Sequence, residues 1–120
     1  MRAALTIVVC ALPWASSQAA TSFDGRYSGQ RTVVRGSAPI CPKDGRATWR
    51  ISDGRLTFKF WTVNLPLEIA PDGTFKGATQ YSPSHGRTSW LRVQGAISGD
   101  GLQADAESRA CQMHYSLARI

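Results

Sequence analysis

Apolar and polar residues alternate along the chain after about residue 20, and Asp-Gly pairs interrupt the alternation at intervals. Alternation at every second residue is the pattern of a β-strand with one buried face. Glycine takes a positive φ without steric cost and aspartate tolerates tight turns, so Asp-Gly between alternating stretches predicts a hairpin. The five pairs are Asp24-Gly25, Asp44-Gly45, Asp53-Gly54, Asp72-Gly73 and Asp100-Gly101. No stretch has a sustained helical period, so the pattern predicts an all-β chain.

The segment around Asp53-Gly54 gives the most specific pairing prediction. A two-residue turn at this pair places Ile51 opposite Leu56 and Trp49 opposite Phe58. One face of the resulting hairpin is apolar and consists of Ala47, Trp49, Ile51, Leu56, Phe58 and Phe60. The other face consists of Thr48, Arg50, Ser52, Arg55, Thr57 and Lys59. Because a shift of one residue would mix the two faces, we expect this register.

Two more hairpins are predicted from turn residues further along the chain. Proline presets the first position of a turn and glycine supplies a left-handed residue, so Pro71-Asp72-Gly73 predicts a three-residue loop. The residue pairs that this loop places opposite each other are Ile69–Phe75 and Glu68–Lys76. A further hairpin is predicted to turn near Gly99-Asp100.

Strands near the two ends of the domain complete the predicted fold. The first runs from about Arg26 to Val34, and the last runs from about Cys111 to Arg119 with Met113, Tyr115 and Leu117 on its inner face. Together with the hairpins they make about eight short strands. We therefore predict a small antiparallel meander that is closed into a barrel or folded as a sandwich.

Residues 1–19 have the pattern of a signal peptide. One positive charge near the start is followed by an uncharged stretch from Ala3 to Leu12, and Ser17-Gln18-Ala19 places small residues at a cleavage site. A membrane anchor and a lipid-modified Cys10 are alternatives, but no small residue directly precedes this cysteine. We predict cleavage after the last alanine of that site, a single domain at 20–120, and a periplasmic or secreted protein.

Cys41 and Cys111 remain after cleavage, and we predict that they form a disulfide. Two cysteines in an oxidising compartment are expected to pair, and this bond would close a loop of about 70 residues. No C-x-x-C pair occurs, and the two histidines, His85 and His114, lie far apart without neighbours at ligand spacing. We therefore expect neither a metal nor another cofactor.

The charge of the chain indicates a class of partner. Without the signal peptide, 13 Lys and Arg oppose 8 Asp and Glu, which gives a net charge of about +5. The candidate ligand-binding residues share the outer face of the Asp53-Gly54 hairpin and are Arg46, Arg50, Arg55, Lys59 and Trp61. Such a face suits an acidic glycan, an envelope polyanion or an acidic protein, whereas an exported domain is not expected to bind nucleic acid. We predict a non-enzymatic binding module; the alternative is an accessory protein with an ordinary basic surface and no soluble ligand.

One polar loop supports a catalytic alternative. Ser82, Ser84 and His85 offer hydroxyl nucleophiles and a base, which a small hydrolase requires. No Gly-x-Ser-x-Gly motif accompanies them, and no aspartate partner can be assigned. Turn preferences of Ser, Pro and Gly explain the same residues, so hydrolysis is the second hypothesis.

Several of these features occur together in one order. They are the segment Phe-Asp-Gly-Arg-Tyr-Ser-Gly at 23–29, a cysteine after the first predicted strand, the Asp-Gly turns and a late cysteine. In this combination the chain resembles small exported proteobacterial proteins of unknown function. The resemblance covers the predicted mature chain and implies a β-domain with one disulfide, but it implies no activity.

Overall fold

The computed structural model describes residues 21–82 and 88–120, which form eight β-strands. The strands are β1 (Gly25–Arg35), β2 (Gly45–Ile51), β3 (Arg55–Phe60), β4 (Val63–Glu68), β5 (Thr74–Tyr81), β6 (Ser89–Ser98), β7 (Gly101–Ser108) and β8 (Cys111–Arg119). Within those two ranges there is no helix, and hence none that could cross a membrane. The predicted all-β fold is confirmed. The predicted signal peptide, 1–19, lies outside the described residues.

The strands form two layers. Six of them make an antiparallel sheet in the order β2-β1-β8-β7-β6-β5, and the remaining two make the β3–β4 hairpin. The hairpin packs on one face of the sheet: the Phe58 ring lies 5.7 Å from that of Trp49 and 5.8 Å from that of Tyr115. Apolar side chains of both layers are buried between them. The architecture is therefore an open sandwich and not the closed barrel that the sequence also allowed.

The Asp53-Gly54 turn forms as predicted, but the hairpin around it does not continue. Asp53 and Gly54 have φ values of 55° and 71°, and Ser52 and Arg55 exchange two backbone hydrogen bonds of 2.9 and 3.0 Å. Beyond this pair, β2 pairs with β1 and β3 pairs with β4, so the predicted pairs such as Trp49–Phe58 are wrong. A continuous hairpin would carry all of its apolar residues on one uncovered face. By crossing to the second layer instead, β3 covers the apolar face of the sheet.

We call the bend at Ser52–Arg55 the first corner. Asp24 holds it from the side, because its two carboxylate oxygens accept hydrogen bonds of 2.9 Å each from the Asp53 and Gly54 backbone N–H groups. The Ile69 N–H also donates to the Gly54 carbonyl at 2.8 Å. The corner is thus fixed by groups from two other segments of the chain.

A second corner stands where the Pro71–Gly73 loop was predicted to close a hairpin. Gly73 has the expected positive φ, 88°, and the Ala70 N–H donates to the Thr74 carbonyl at 2.8 Å. The pairing predicted around the loop is wrong, because β4 pairs with β3 and β5 pairs with β6. The observed partners are Glu68–Arg55, Lys76–Gln94 and Phe75–Gly95. Here too the chain changes layer, so that both apolar faces are covered.

The remaining predictions of strand and bond are confirmed. β6 and β7 form a hairpin in which Ile97 lies opposite Leu102, and the inner residues of β8 are buried. Cys41 and Cys111 form the disulfide; their Cα atoms are 5.4 Å apart, and the two residues are separated by 70 positions in sequence. This bond attaches the loop between β1 and β2 to the start of β8.

Candidate ligand-binding cleft

The first corner opens a cleft between β2 and β3. These strands leave the turn as neighbours and then diverge into separate layers, so their facing edges are not joined. The space between them, here called the β2–β3 cleft, has a volume of about 630 Å³. Its lining consists of Arg31, Ala47, Thr48, Trp49, Arg50, Ser52, Arg55, Thr57, Phe58, Lys59 and Tyr115. The lining combines an aromatic interior with a basic rim.

Three aromatic rings from different strands form the floor of the cleft. Trp49 and Tyr115 lie with their ring centroids 4.6 Å apart, and both rings pack nearly perpendicular to Phe58. Phe58 and Tyr115 are buried, while Trp49 is only partly covered. The floor therefore presents one large aromatic side chain to anything that enters the cleft.

Because the phenol of Tyr115 is buried, the stability of the fold should depend on pH in the alkaline range. Burial raises the pKa of Tyr115 above its usual value near 10, and the neighbouring Arg31 guanidinium offsets part of that rise. The unfolded chain releases this proton at a lower pH than the folded chain does. The free energy of unfolding should therefore be unaffected by this group below pH 10 and should fall as pH rises above it.

Urea denaturation measured at intervals from pH 8 to 11 tests this expectation. The Tyr115→Phe variant should lose less stability across that range than the parent, because it has no proton to release at this position. Identical pH profiles for the two proteins would show that the phenol titrates equally in both states.

Arg31 is the cleft residue that the sequence analysis missed. It stands opposite Tyr115 in β8 and opposite Gly45 in β2, so its side chain lies on the inner face of the sheet. Its Nε donates a 2.8 Å hydrogen bond to the Lys43 carbonyl. Gly45 has no side chain and leaves space for the guanidinium. The available signal was periodicity, because counting in twos from the inward Tyr27 places an arginine at a core-facing position.

The structure brings three of the five predicted binding residues to the cleft. Arg50, Arg55 and Lys59 are exposed along its rim. Arg46 lies outside the lining, on the outer face opposite Gln30. Trp61 also lies outside the lining, because it occupies the turn between β3 and β4.

Trp61 contacts the loop between β1 and β2. Its indole Nε1–H donates to the Ile40 carbonyl at 3.0 Å, and 60% of the residue remains exposed. Its φ of 56° is unusual for a bulky residue. The hydrophobic tip formed by Trp61 and Ile40 is therefore separate from the β2–β3 cleft.

The cations that line the cleft form no ion pairs among the described residues. In the part of the chain that the structure describes, no ion pair involves Arg31, Arg50, Arg55 or Lys59. Glu68 is the direct cross-strand partner of Arg55 in the β3–β4 ladder, but the two side chains do not form an ion pair. The β2–β3 cleft thus concentrates positive charge that is free to meet an anion.

Acidic residues are paired on a different surface, the outer face of β7 and β8. His114 lies between the Asp105 carboxylate, at 2.9 Å from Nδ1, and the Gln103 carbonyl, at 2.8 Å from Nε2. Glu107 forms ion pairs of 3.3 and 3.4 Å with Arg35 and Arg92. Across residues 21–82 and 88–120, no three His, Cys, Asp or Glu side chains are grouped as a metal site would require.

The residues of the hydrolase hypothesis are only partly described. Ser82 is exposed just after β5, whereas Ser84 and His85 lie outside the described residues. The hypothesis stays a prediction from sequence.

Comparison with known proteins gives no further guide. No family model, curated protein or solved structure matches the chain. The resemblance to small exported proteobacterial proteins therefore stays an expectation.

Proposed function

We propose that the protein is a non-enzymatic binding module for an acidic ligand, and that the ligand occupies the β2–β3 cleft. One observation carries this proposal: four cations line one cleft, and none of them forms an ion pair with a carboxylate among the described residues. A disulfide is typical of oxidising compartments, so we place the activity in the periplasm or outside the cell.

In this proposal, Arg31 and the three cations of the rim contribute to ligand binding in different ways. Arg31 lies beside the aromatic floor, where water is partly excluded and attraction to an anion is stronger than at an open surface. Its guanidinium can hold a carboxylate or phosphate through two parallel hydrogen bonds. Arg50, Arg55 and Lys59 stand in water, where they attract acidic ligands at longer range and are screened by salt.

Removing the rim cations should weaken the binding of acidic polymers by about tenfold or more, because each substitution removes an attraction to the ligand. The test uses the purified, oxidised protein with polygalacturonate as a carboxylated glycan and polyglutamate as an acidic polypeptide. Binding is measured by calorimetry across a range of salt concentrations for the parent and for the Arg50→Ala, Arg55→Ala, Lys59→Ala triple variant. The parent should lose affinity as salt increases, and the variant should show a smaller salt dependence.

A second triple variant controls for charge alone. Arg46→Ala, Lys76→Ala and Arg109→Ala remove the same charge from exposed positions outside the cleft lining. This variant should bind nearly as well as the parent. Equal losses of affinity in the two triple variants would mean that binding is spread over the whole basic surface. If the parent binds neither polymer, the proposal is wrong.

Replacing Arg31 with leucine should separate binding from stability. Arg31 is partly buried and forms no ion pair among the described residues, so it loses hydration that its contacts with the Lys43 carbonyl and with Tyr115 replace only in part. Arg31→Leu should therefore raise the free energy of unfolding by about 1 kcal/mol while it weakens ligand binding. Urea denaturation and the same calorimetry measure the two effects. A loss of stability would instead assign Arg31 a structural role.

A further inference from the structure

The β2–β3 cleft has a second property besides charge, namely two unpaired strand edges that face each other. β2 is the outermost strand of the six-stranded sheet and, among residues 21–82 and 88–120, pairs only with β1. Within the described part of the chain, β3 pairs only with β4, apart from the bridge between Ser52 and Arg55 at the first corner. Each strand therefore offers one side of its backbone to the cleft.

The corner fixes which backbone groups point into the cleft. Ser52 and Arg55 donate to each other across it, so their N–H and C=O groups face the opposite strand. Both groups of one residue point to one side of a strand, and successive residues alternate. Counting in twos, Arg50 and Thr48 direct their N–H and C=O groups into the cleft from β2. Thr57 and Lys59 do the same from β3.

From this we infer that the ligand is an extended acidic segment of another polypeptide, which adds to the β2 edge as a further strand. The inference rests on the proposed function and specifies its partner. An extended peptide can satisfy the N–H and C=O groups of Thr48 and Arg50, which a glycan without a regular backbone of amides cannot do. Open edges are usually blocked against such pairing, and here the charges that flank the edge admit an acidic strand while repelling a basic one.

The side chains of the cleft also specify the pattern of the incoming strand. Residues on its outer face would stand beside Arg50 and Arg55, where Asp or Glu is favoured. Residues on its inner face would meet Trp49 and the aromatic floor, where Val, Ile or Phe is favoured. Since the faces alternate along a strand, the partner segment should alternate acidic and apolar residues.

The test uses an eight-residue peptide of alternating Glu and Val with blocked ends, together with two N-methylated versions. One version is methylated at every Glu and the other at every Val, so each loses the N–H groups along one side of the strand. Only one side pairs with β2. One version should therefore bind at least about tenfold more weakly than the parent peptide, and the other should lose less than about threefold. Pairing antiparallel to β2 requires the Glu N–H groups, and parallel pairing requires those of Val.

Hydrogen exchange on the protein gives an independent readout. The amides of Thr48 and Arg50 should exchange more slowly in the presence of the peptide than in the presence of polygalacturonate. The Trp49 amide faces β1 and should change little. Equal effects of the two methylated peptides, or unchanged exchange at Thr48 and Arg50, would overturn strand addition. If polygalacturonate still binds in a manner that depends on the rim cations, the proposed function survives that result; if nothing acidic binds, both fail.

Discussion

Removing the disulfide by replacing Cys41 and Cys111 with alanine should lower the free energy of unfolding by about 4 kcal/mol. The bond joins residues 70 positions apart, so it withdraws a large amount of conformational freedom from the unfolded chain. Domains of this size have a total stability of about 5–15 kcal/mol, and a loss of this magnitude would leave the fold marginal. Urea denaturation of the oxidised parent and the double variant measures the difference.

The reduced parent is the matched control. Both cysteines are buried, so alanine removes some apolar contact in addition to the covalent bond. Reduction breaks the bond and keeps both sulfur atoms, and the difference between the reduced parent and the variant reports the contact alone. Unfolding of the oxidised and reduced parents at the same urea concentration would contradict a stabilising role for the bond.

The Gly29→Ala substitution should lower the free energy of unfolding by about 3 kcal/mol, although it adds only one methyl group. Gly29 lies in β1 opposite Leu117 of β8, in the interior of the larger sheet. An added Cβ would lie 2.8 Å from the Leu117 Cα and would collide with the Ser116 carbonyl oxygen. Backbone atoms cannot rotate away as a side chain can, so β1 and β8 would have to separate.

Gly45→Ala provides the matched comparison. This glycine is also in a strand, but it lies at the open edge, where an added Cβ would come no closer to any neighbour than 3.5 Å, the distance to the Arg31 Nη2. The free energy of unfolding of the Gly45→Ala variant should differ from that of the parent by less than about 0.5 kcal/mol. Similar losses at the two positions in urea denaturation would show that strand propensity, and not the collision with β8, determines the effect.

The sequence predicted the faces of the strands well and their layers poorly. Alternation identifies Phe58 as inward and Lys59 as outward, and both orientations are confirmed. Alternation does not identify the layer that covers the inward face. The two-residue turn at Asp53-Gly54 requires the same residues whether the strands on either side of it remain paired or separate into two layers. The cleft therefore could not be predicted, because it exists only where β2 and β3 separate.

Two residues show why the site was only partly predictable. Continuing the alternation past Phe60 places Trp61 on the face of Lys59, but the chain turns at Trp61. That turn lacks the glycine, asparagine or aspartate that signals a two-residue hairpin. Arg31 lies at an inward position of β1, where counting in twos would have found it. Its role as the innermost cation of the cleft depends on contacts between β1, β2 and β8, which are distant in sequence.

The position of the disulfide also bears on the order of events during folding. In the larger sheet β1 lies between β2 and β8, so a growing chain completes β1, β2 and four further strands before it makes the β7 and β8 that fill the middle of that sheet. Pairing of β1 with β8 is intrinsically slow, because a long loop must close before the two strands can search for their register. Cys41 and Cys111 close nearly the same loop, since Val33 pairs with Met113 in that ladder. A chain that unfolds with its disulfide intact therefore keeps the ends of β1 and β8 together, and it can return to the native sheet without repeating that search.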